Sequence, residues 1–248
     1  MKEQIYTIPV NEAFDTPCEC PLRVLEKRLE DEAVEYALGA AMMEPDWRIE
    51  SNEKGYCNRH ISQMFEIKNK LSLALVLDTH LEELRSKLKD ASKKLDTLSK
   101  ASLFKKSNSG EFALELSKEI HSQNSSCIIC DRINHTMQRY LTTIFYMWQK
   151  DDDFKKKFEA SKGLCLKHFE MLISASKKHM SGKAHSEFLK IVIEKELKEL
   201  DRIQEDIHKF TLKFDYRNRN MEWGTAEDAP VRTVEKIAGF LHNNQERN

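Results

Sequence analysis

A chain of 248 residues with 40% hydrophobic content has room for one domain, or two small ones, around a packed core. Its 40 Lys+Arg and 41 Asp+Glu give a formal net charge of −1. No run reaches the roughly 18 apolar residues of a membrane span, the opening MKEQIYTIPVNEAF lacks the apolar core of a signal peptide, and no two of the 7 glycines are spaced for a phosphate-binding loop. The expectation is therefore a cytoplasmic protein without a nucleotide-binding α/β fold.

In chain order, the first stretch reads as an extended arm ending at Cys20. Pro21 suits a first helical position, and Leu22, Leu25, Leu29, Ala33, Tyr36 and Ala40 form one apolar stripe at helical spacing. Pro45 and Asp46 break that helix. A second helix is expected to start near Gly55-Tyr56-Cys57 and to run far. Leu77, Leu81, Leu84, Leu88, Ala91, Leu95 and Leu98 step by 4 and 3 as a heptad seam, which requires a partner helix from this chain or another copy.

Residues 99–111, SKASLFKKSNSGE, read as a flexible basic linker. Residues 85–106 carry 8 basic and 2 acidic side chains. Only Phe104 interrupts that charge with an aromatic ring, so the run reads as a solvated helix face and argues against nucleic acid. Helical periodicity resumes at Phe112 and again after Cys127. A second long stripe, Ile193, Leu197, Leu200, Ile203, Ile207, Phe210 and Phe214, is the natural antiparallel mate of the first. Asp215 to Asn218 reads as a turn before a short terminal helix near Pro230.

No alternating strand pattern occurs, and no proline lies between Pro45 and Pro230. The expected fold is all-α, with two pseudo-repeated helical units and a long antiparallel helix pair. The units span residues 1–98 and 112–214, with a tail at 215–248, and pack as one domain.

The six cysteines carry the chemical signal. Cys18-x-Cys20 precedes Gly55-Tyr56-Cys57-Asn58-Arg59-His60; Cys127-x-x-Cys130 precedes Gly163-Leu164-Cys165-Leu166-Lys167-His168. Arg23 to Cys57 is 34 positions and Cys130 to Cys165 is 35, which reads as an internal duplication. Residues three apart on a helix share a face, so each pair can offer two donors to one point. The second unit is expected to join Cys127, Cys130, Cys165 and His168 as a Cys3His site for zinc, with an iron–sulfur cluster as the alternative.

In the first unit Arg23 stands where Cys130 stands in the second. Cys18 is expected to supply the missing sulfur, giving Cys18, Cys20, Cys57 and His60. The alternative keeps Cys20, Cys57 and His60 and leaves one coordination position open, the arrangement of catalytic zinc. Disulfides are disfavoured in a reducing compartment, and a dithiol redox motif lacks its βαβ setting.

These units, with the tail motif K-F-D-Y-R-N, resemble an uncharacterised family of unknown function found largely in anaerobic Gram-positive bacteria. The resemblance spans almost the whole chain and implies no activity; family members carry cysteine where Arg23 stands here.

Tyr140, Phe145, Tyr146 and Trp148 read as core, and Asp151-Asp152-Asp153 as a helix start. His135 reads as a capping or exposed residue. No hydrolase motif is present. The sequence therefore points to a non-catalytic, metal-organised helical scaffold that binds a protein partner or self-associates through its long helices. Iron–sulfur redox sensing, or an enzyme with an open metal in the first unit, are the alternatives.

Overall fold

The computed structural model describes residues 4–101, 109–218 and 220–239. Among them are eleven α-helices and no strand. The helices are α1 Gln4–Asp15, α2 Pro21–Leu38, α3 Pro45–Lys54, α4 Asn58–Glu66, α5 Lys70–Ala101, α6 Ser109–Ser125, α7 Ile128–Lys150, α8 Asp152–Ala160, α9 Leu166–His179, α10 Gly182–Leu212 and α11 Ala229–Ala238. The all-α expectation holds.

Contacts group the chain into two compact units, residues 1–28 with 136–248, and residues 29–135. This differs from a sequential division at residues 99–111. The division falls inside α2 and inside α7, so each of these helices contributes residues to both units. Residues 102–108, the middle of the expected linker, lie outside the described residues.

In the unit of residues 29–135, α3 packs on α5. Trp47 meets Tyr36 edge-on at 5.1 Å, and the Arg132 guanidinium lies 4.3 Å over the Tyr36 ring. The seam of α5 takes α6 as its antiparallel partner: Lys94 pairs with Glu115, and Lys87 donates to Gln123 further along. The first stripe's helix, α2, ends at Leu38, before Pro45; a short 3-10 turn at Ala40–Met43 follows, and Pro45 begins α3 at its first turn, where its missing N–H costs nothing. The long second helix divides after Glu66, because Asn69 caps a new helix by accepting from the Ser72 amide at 3.2 Å.

In the unit of residues 1–28 and 136–248, the expected extended arm is instead α1, with Pro9 inside it. Val10, Ala13 and Phe14 are buried, and Phe14 contacts Phe154 at 5.1 Å and Phe158 at 5.6 Å on α8. Burial of that face outweighs the one backbone hydrogen bond that proline removes. Phe188 of α10 meets Phe145 at 5.3 Å and Trp148 at 5.0 Å. Tyr140, Phe145 and Trp148 are core as expected, whereas Tyr146 is exposed. Asp151 caps α8, accepting from the amides of Asp153 and Phe154 at 3.0 Å each. The stripe of α10 takes α9 and α11 as neighbours. The two long stripes thus serve separate helix packings, each with neighbours close in sequence.

Candidate metal centres

Four cysteines each sit immediately before a helix. Cys57 precedes α4 with φ −71° and ψ 161°, and Cys165 precedes α9 with φ −70° and ψ 158°. Cys20 precedes α2, its carbonyl accepting from the Arg23 amide at 3.1 Å; Cys127 precedes α7, its carbonyl accepting from the Asp131 amide at 3.1 Å. The residue three further on is Arg23, His60, Cys130 or His168, one turn along the same helix face. A sulfur at this position lies beside the free N–H groups and positive dipole end of its helix, which favour thiolate.

These four helix starts converge in pairs. In the unit of residues 29–135, Cys57, His60, Cys127 and Cys130 bring one ligand atom each within 4.8 Å of all the others. His60 Nδ1 lies 3.3 Å from Cys57 Sγ, 3.2 Å from Cys127 Sγ and 3.4 Å from Cys130 Sγ, and the Cys57 and Cys130 sulfurs are 3.8 Å apart. In the other unit, Cys20, Cys165 and His168 form the second group, with His168 Nδ1 3.4 Å from Cys20 Sγ and 3.1 Å from Cys165 Sγ. Both groups are positioned to bind a metal ion.

The half-sites read from the sequence are present, but their pairing is exchanged. Cys127 and Cys130 share a centre with Cys57 and His60, not with Cys165 and His168. Cys20 shares one with Cys165 and His168. Cys18 belongs to neither group; burial pushes its thiol up to about 11. His135 also stands outside both.

Local contacts explain the exchange. Before α7, Ser126 Oγ donates to the Lys54 carbonyl at 2.5 Å and the Ile128 amide donates to the Gly55 carbonyl at 3.2 Å. Lys54 also pairs with Asp131 at 2.6 Å. The start of α7 is therefore stitched onto the turn that carries Cys57. At the second centre, Glu19 is buried and ion-paired to Arg202 of α10 at 2.5 Å, which fixes the segment bearing Cys20. The Leu164 amide donates to Glu196 at 2.9 Å, and the fully buried Lys236 ammonium pairs with Glu196 at 2.8 Å while donating to the Lys162 carbonyl.

The glycine of each G-x-C turn has a physical reason. Gly55 and Gly163 have φ of +68° and +77°, a region side-chain-bearing residues rarely adopt. A Cβ on Gly55 would come within 2.9 Å of the His80 ring; one on Gly163 would come within 2.5 Å of Glu196.

Each histidine faces sulfur with Nδ1 and a buried carboxylate with Nε2. His60 Nε2 is 3.4 Å from Glu30, and His168 Nε2 is 3.5 Å from Glu26. The basic residue before each histidine reaches the same carboxylate: Arg59 pairs with Glu30 at 2.8 Å, and Lys167 with Glu26. Carboxylates behind ligating histidines orient the ring and raise its basicity. Both carboxylates come from α2, four residues apart in the chain, and neither was singled out from the sequence. The basic residue repeated before each histidine was the available clue to an acidic partner.

The electrostatics describe groups crowded for a cation. Burial pulls the His60 imidazolium down, but bonds to Cys127 and Glu30 outweigh it and lift the group to about 9. A hydrogen bond from Cys130 holds Cys127 down to about 3, against the opposing effect of burial and with help from His60. Cys130, its proton-holding partner, is raised correspondingly. At the second centre the hydrogen bond from Cys20 holds Cys165 down to about 4, while burial raises Cys20. Despite its burial, Glu26 lies below the usual carboxylate range because Lys167, His168 and Arg23 surround it. One thiol of each pair is thus ready to bind as thiolate.

Among the described residues no helix is long and apolar enough to cross a membrane. No curated protein and no solved structure matches the chain. Residues 1–244 match the model of a family described as "Family of unknown function (DUF6062)", and the chain belongs to that family.

Proposed function

We propose that this member of a family of unknown function is a structural zinc protein, in which Cys57, His60, Cys127 and Cys130 hold one tetrahedral Zn²⁺. The supporting observation is the spacing of the donors. Zn–S bonds of about 2.3 Å and Zn–N bonds of about 2.0–2.1 Å place tetrahedral sulfurs about 3.8 Å apart and sulfur–nitrogen pairs about 3.5 Å apart. The sulfurs of Cys57 and Cys130 are 3.8 Å apart, and the three sulfur–imidazole distances of 3.2–3.4 Å fall a few tenths of an ångström short of the ideal.

A polynuclear iron–sulfur cluster distributes its protein donors over several irons. Four donor atoms all within 4.8 Å of one another suit a single ion better. Three thiolates with one imidazole form a soft set matched to Zn²⁺, and the Glu30 carboxylate behind His60 completes the pattern.

The ion would pin the starts of α4 and α7, and the long α5–α6 hairpin of the same unit would then present the binding surface of a scaffold protein. Metal analysis and melting with and without a chelator test this reading. The expected result is colourless protein containing zinc, with a melting temperature that falls on chelation. Brown protein with iron and sulfide, or a melt unchanged by chelation, would overturn it.

A further inference from the structure

The heptad seam of α5 has two lines of apolar residues, and they differ in burial. Leu77, Leu84, Ala91 and Leu98 are half-buried, and Ala91 lines a cleft with Phe112 and Leu116 of α6. Leu81, Leu88 and Leu95 form the other line, seven residues apart, and are 56%, 54% and 40% exposed. Leucines repeated at this spacing make a continuous apolar strip along one helix face, the kind of strip that closes against another helix.

Charge indicates which helix. On the flank of the strip next to α6, Lys87 and Lys94 bond to Gln123 and Glu115. On the opposite flank stand Asp78 and Glu82, followed by Arg85 and Lys89, and all four are exposed. Each pair is of like charge four residues apart, an arrangement that destabilises a lone helix. A second α5 laid alongside in the same direction would set acid against acid and base against base. Laid in the opposite direction, it sets Asp78 and Glu82 within a turn of Arg85 and Lys89 of the second copy, and two-fold symmetry repeats the match. The same register brings Leu81 against Leu88 of the second copy.

We propose that the α5 face carrying Leu81, Leu88 and Leu95 docks on the same face of a second copy of this chain, with the two helices antiparallel. The proposal rests on the reading of the α5–α6 hairpin as the binding surface of a scaffold, and it names the partner as the chain itself. Burial of the leucines supplies the attraction, and the acidic and basic patches select the direction.

Sedimentation equilibrium of the full chain tests this. The expected result is a concentration-dependent dimer that Leu88→Glu converts to monomer with its helical circular dichroism retained. Arg85→Glu with Lys89→Glu makes the flank wholly acidic, and Asp78→Lys with Glu82→Lys makes it wholly basic. Each double variant should dimerise roughly tenfold or more weakly on its own, and the two mixed in equal amounts should form a one-to-one dimer. p-Benzoylphenylalanine in place of Leu81 should photo-crosslink to the segment around residue 88 of the other copy.

A chain that stays monomeric would overturn the proposal and leave the strip to a different protein. So would a dimer that survives Leu88→Glu and both charge reversals, or a crosslink from position 81 to the segment around position 81 of the other copy. Metal analysis of the same samples separates this claim from the zinc reading. A zinc-bearing monomer refutes the dimer alone, and a dimer without zinc refutes the zinc alone.

Discussion

The first centre, at Cys57, His60, Cys127 and Cys130, and the second, at Cys20, Cys165 and His168, are built from the same local part used twice: a cysteine just before a helix and a partner one turn later. Behind each histidine stands a buried glutamate that also receives a neighbouring cation. They differ at one partner, Cys130 against Arg23. Among the described residues one group thus offers four donors and the other three, while each keeps its carboxylate, its glycine turn and its helix-start geometry.

The largest expected effect breaks the first centre outright. Structural zinc contributes about 10–16 kcal/mol of apparent binding energy in finger peptides. Cys130→Ser should therefore lower the melting temperature by more than ~10 °C, at roughly 2–4 °C per kcal/mol for a chain of this size. Arg23→Ala, at the matching position of the second centre, should shift it far less. Equal shifts in calorimetry would refute the asymmetry between the centres.

Gly163→Ala sharpens the comparison from the backbone side. The new Cβ meets Glu196 within 2.5 Å and Lys236 within 2.9 Å, a buried ion pair that would have to shift from its bonds to the Leu164 amide and the Lys162 carbonyl. Strain of about 1–3 kcal/mol is expected. Gly55→Ala meets only the half-buried His80 ring, at 2.9 Å, and should cost less in denaturant unfolding.

Glu30→Gln removes the charge behind His60 without removing a donor. Its expected cost is about 10–100-fold in metal affinity, read by competition with a chromophoric chelator. Affinity unchanged in Glu30→Gln would separate this carboxylate from metal binding.

The smallest effect lies away from both centres. Asp206 is held below its ordinary 3.8 because hydrogen bonds from Thr225 and Arg232 outweigh its burial. Its folded value is lower than its unfolded one, so its stabilisation is present above pH 3.8 and lost as pH falls through the folded value. Asp206→Asn should cost about 1 kcal/mol at neutral pH, with the gap to the unaltered chain closing on acidification below 3.8.

Much of this architecture was written in local pattern. The helical stripes, the cap at Asp151 and the four Cys-led half-sites follow from spacing and from the chemistry of helix starts, which depend on neighbours a few residues away. The pairing of half-sites did not. Ligand types are the same in either combination, and the choice is made by tertiary contacts such as Ile128 to Gly55 and Ser126 to Lys54. Helix α1 was hidden for a similar reason: Pro9 disfavours a helix locally, and only the burial of Phe14 against α8 tips the balance towards one. Glu26 and Glu30 sit among many acidic residues of α2, and nothing local distinguishes the two that turn inward.

The exchanged pairing is the claim on which both centres depend, and scalar coupling between bound cadmium and the cysteine β protons tests it most directly. In the cadmium-loaded chain, one metal signal should correlate with Cys57, Cys127 and Cys130 together. A cadmium signal that links Cys127 and Cys130 to Cys165 instead would contradict it.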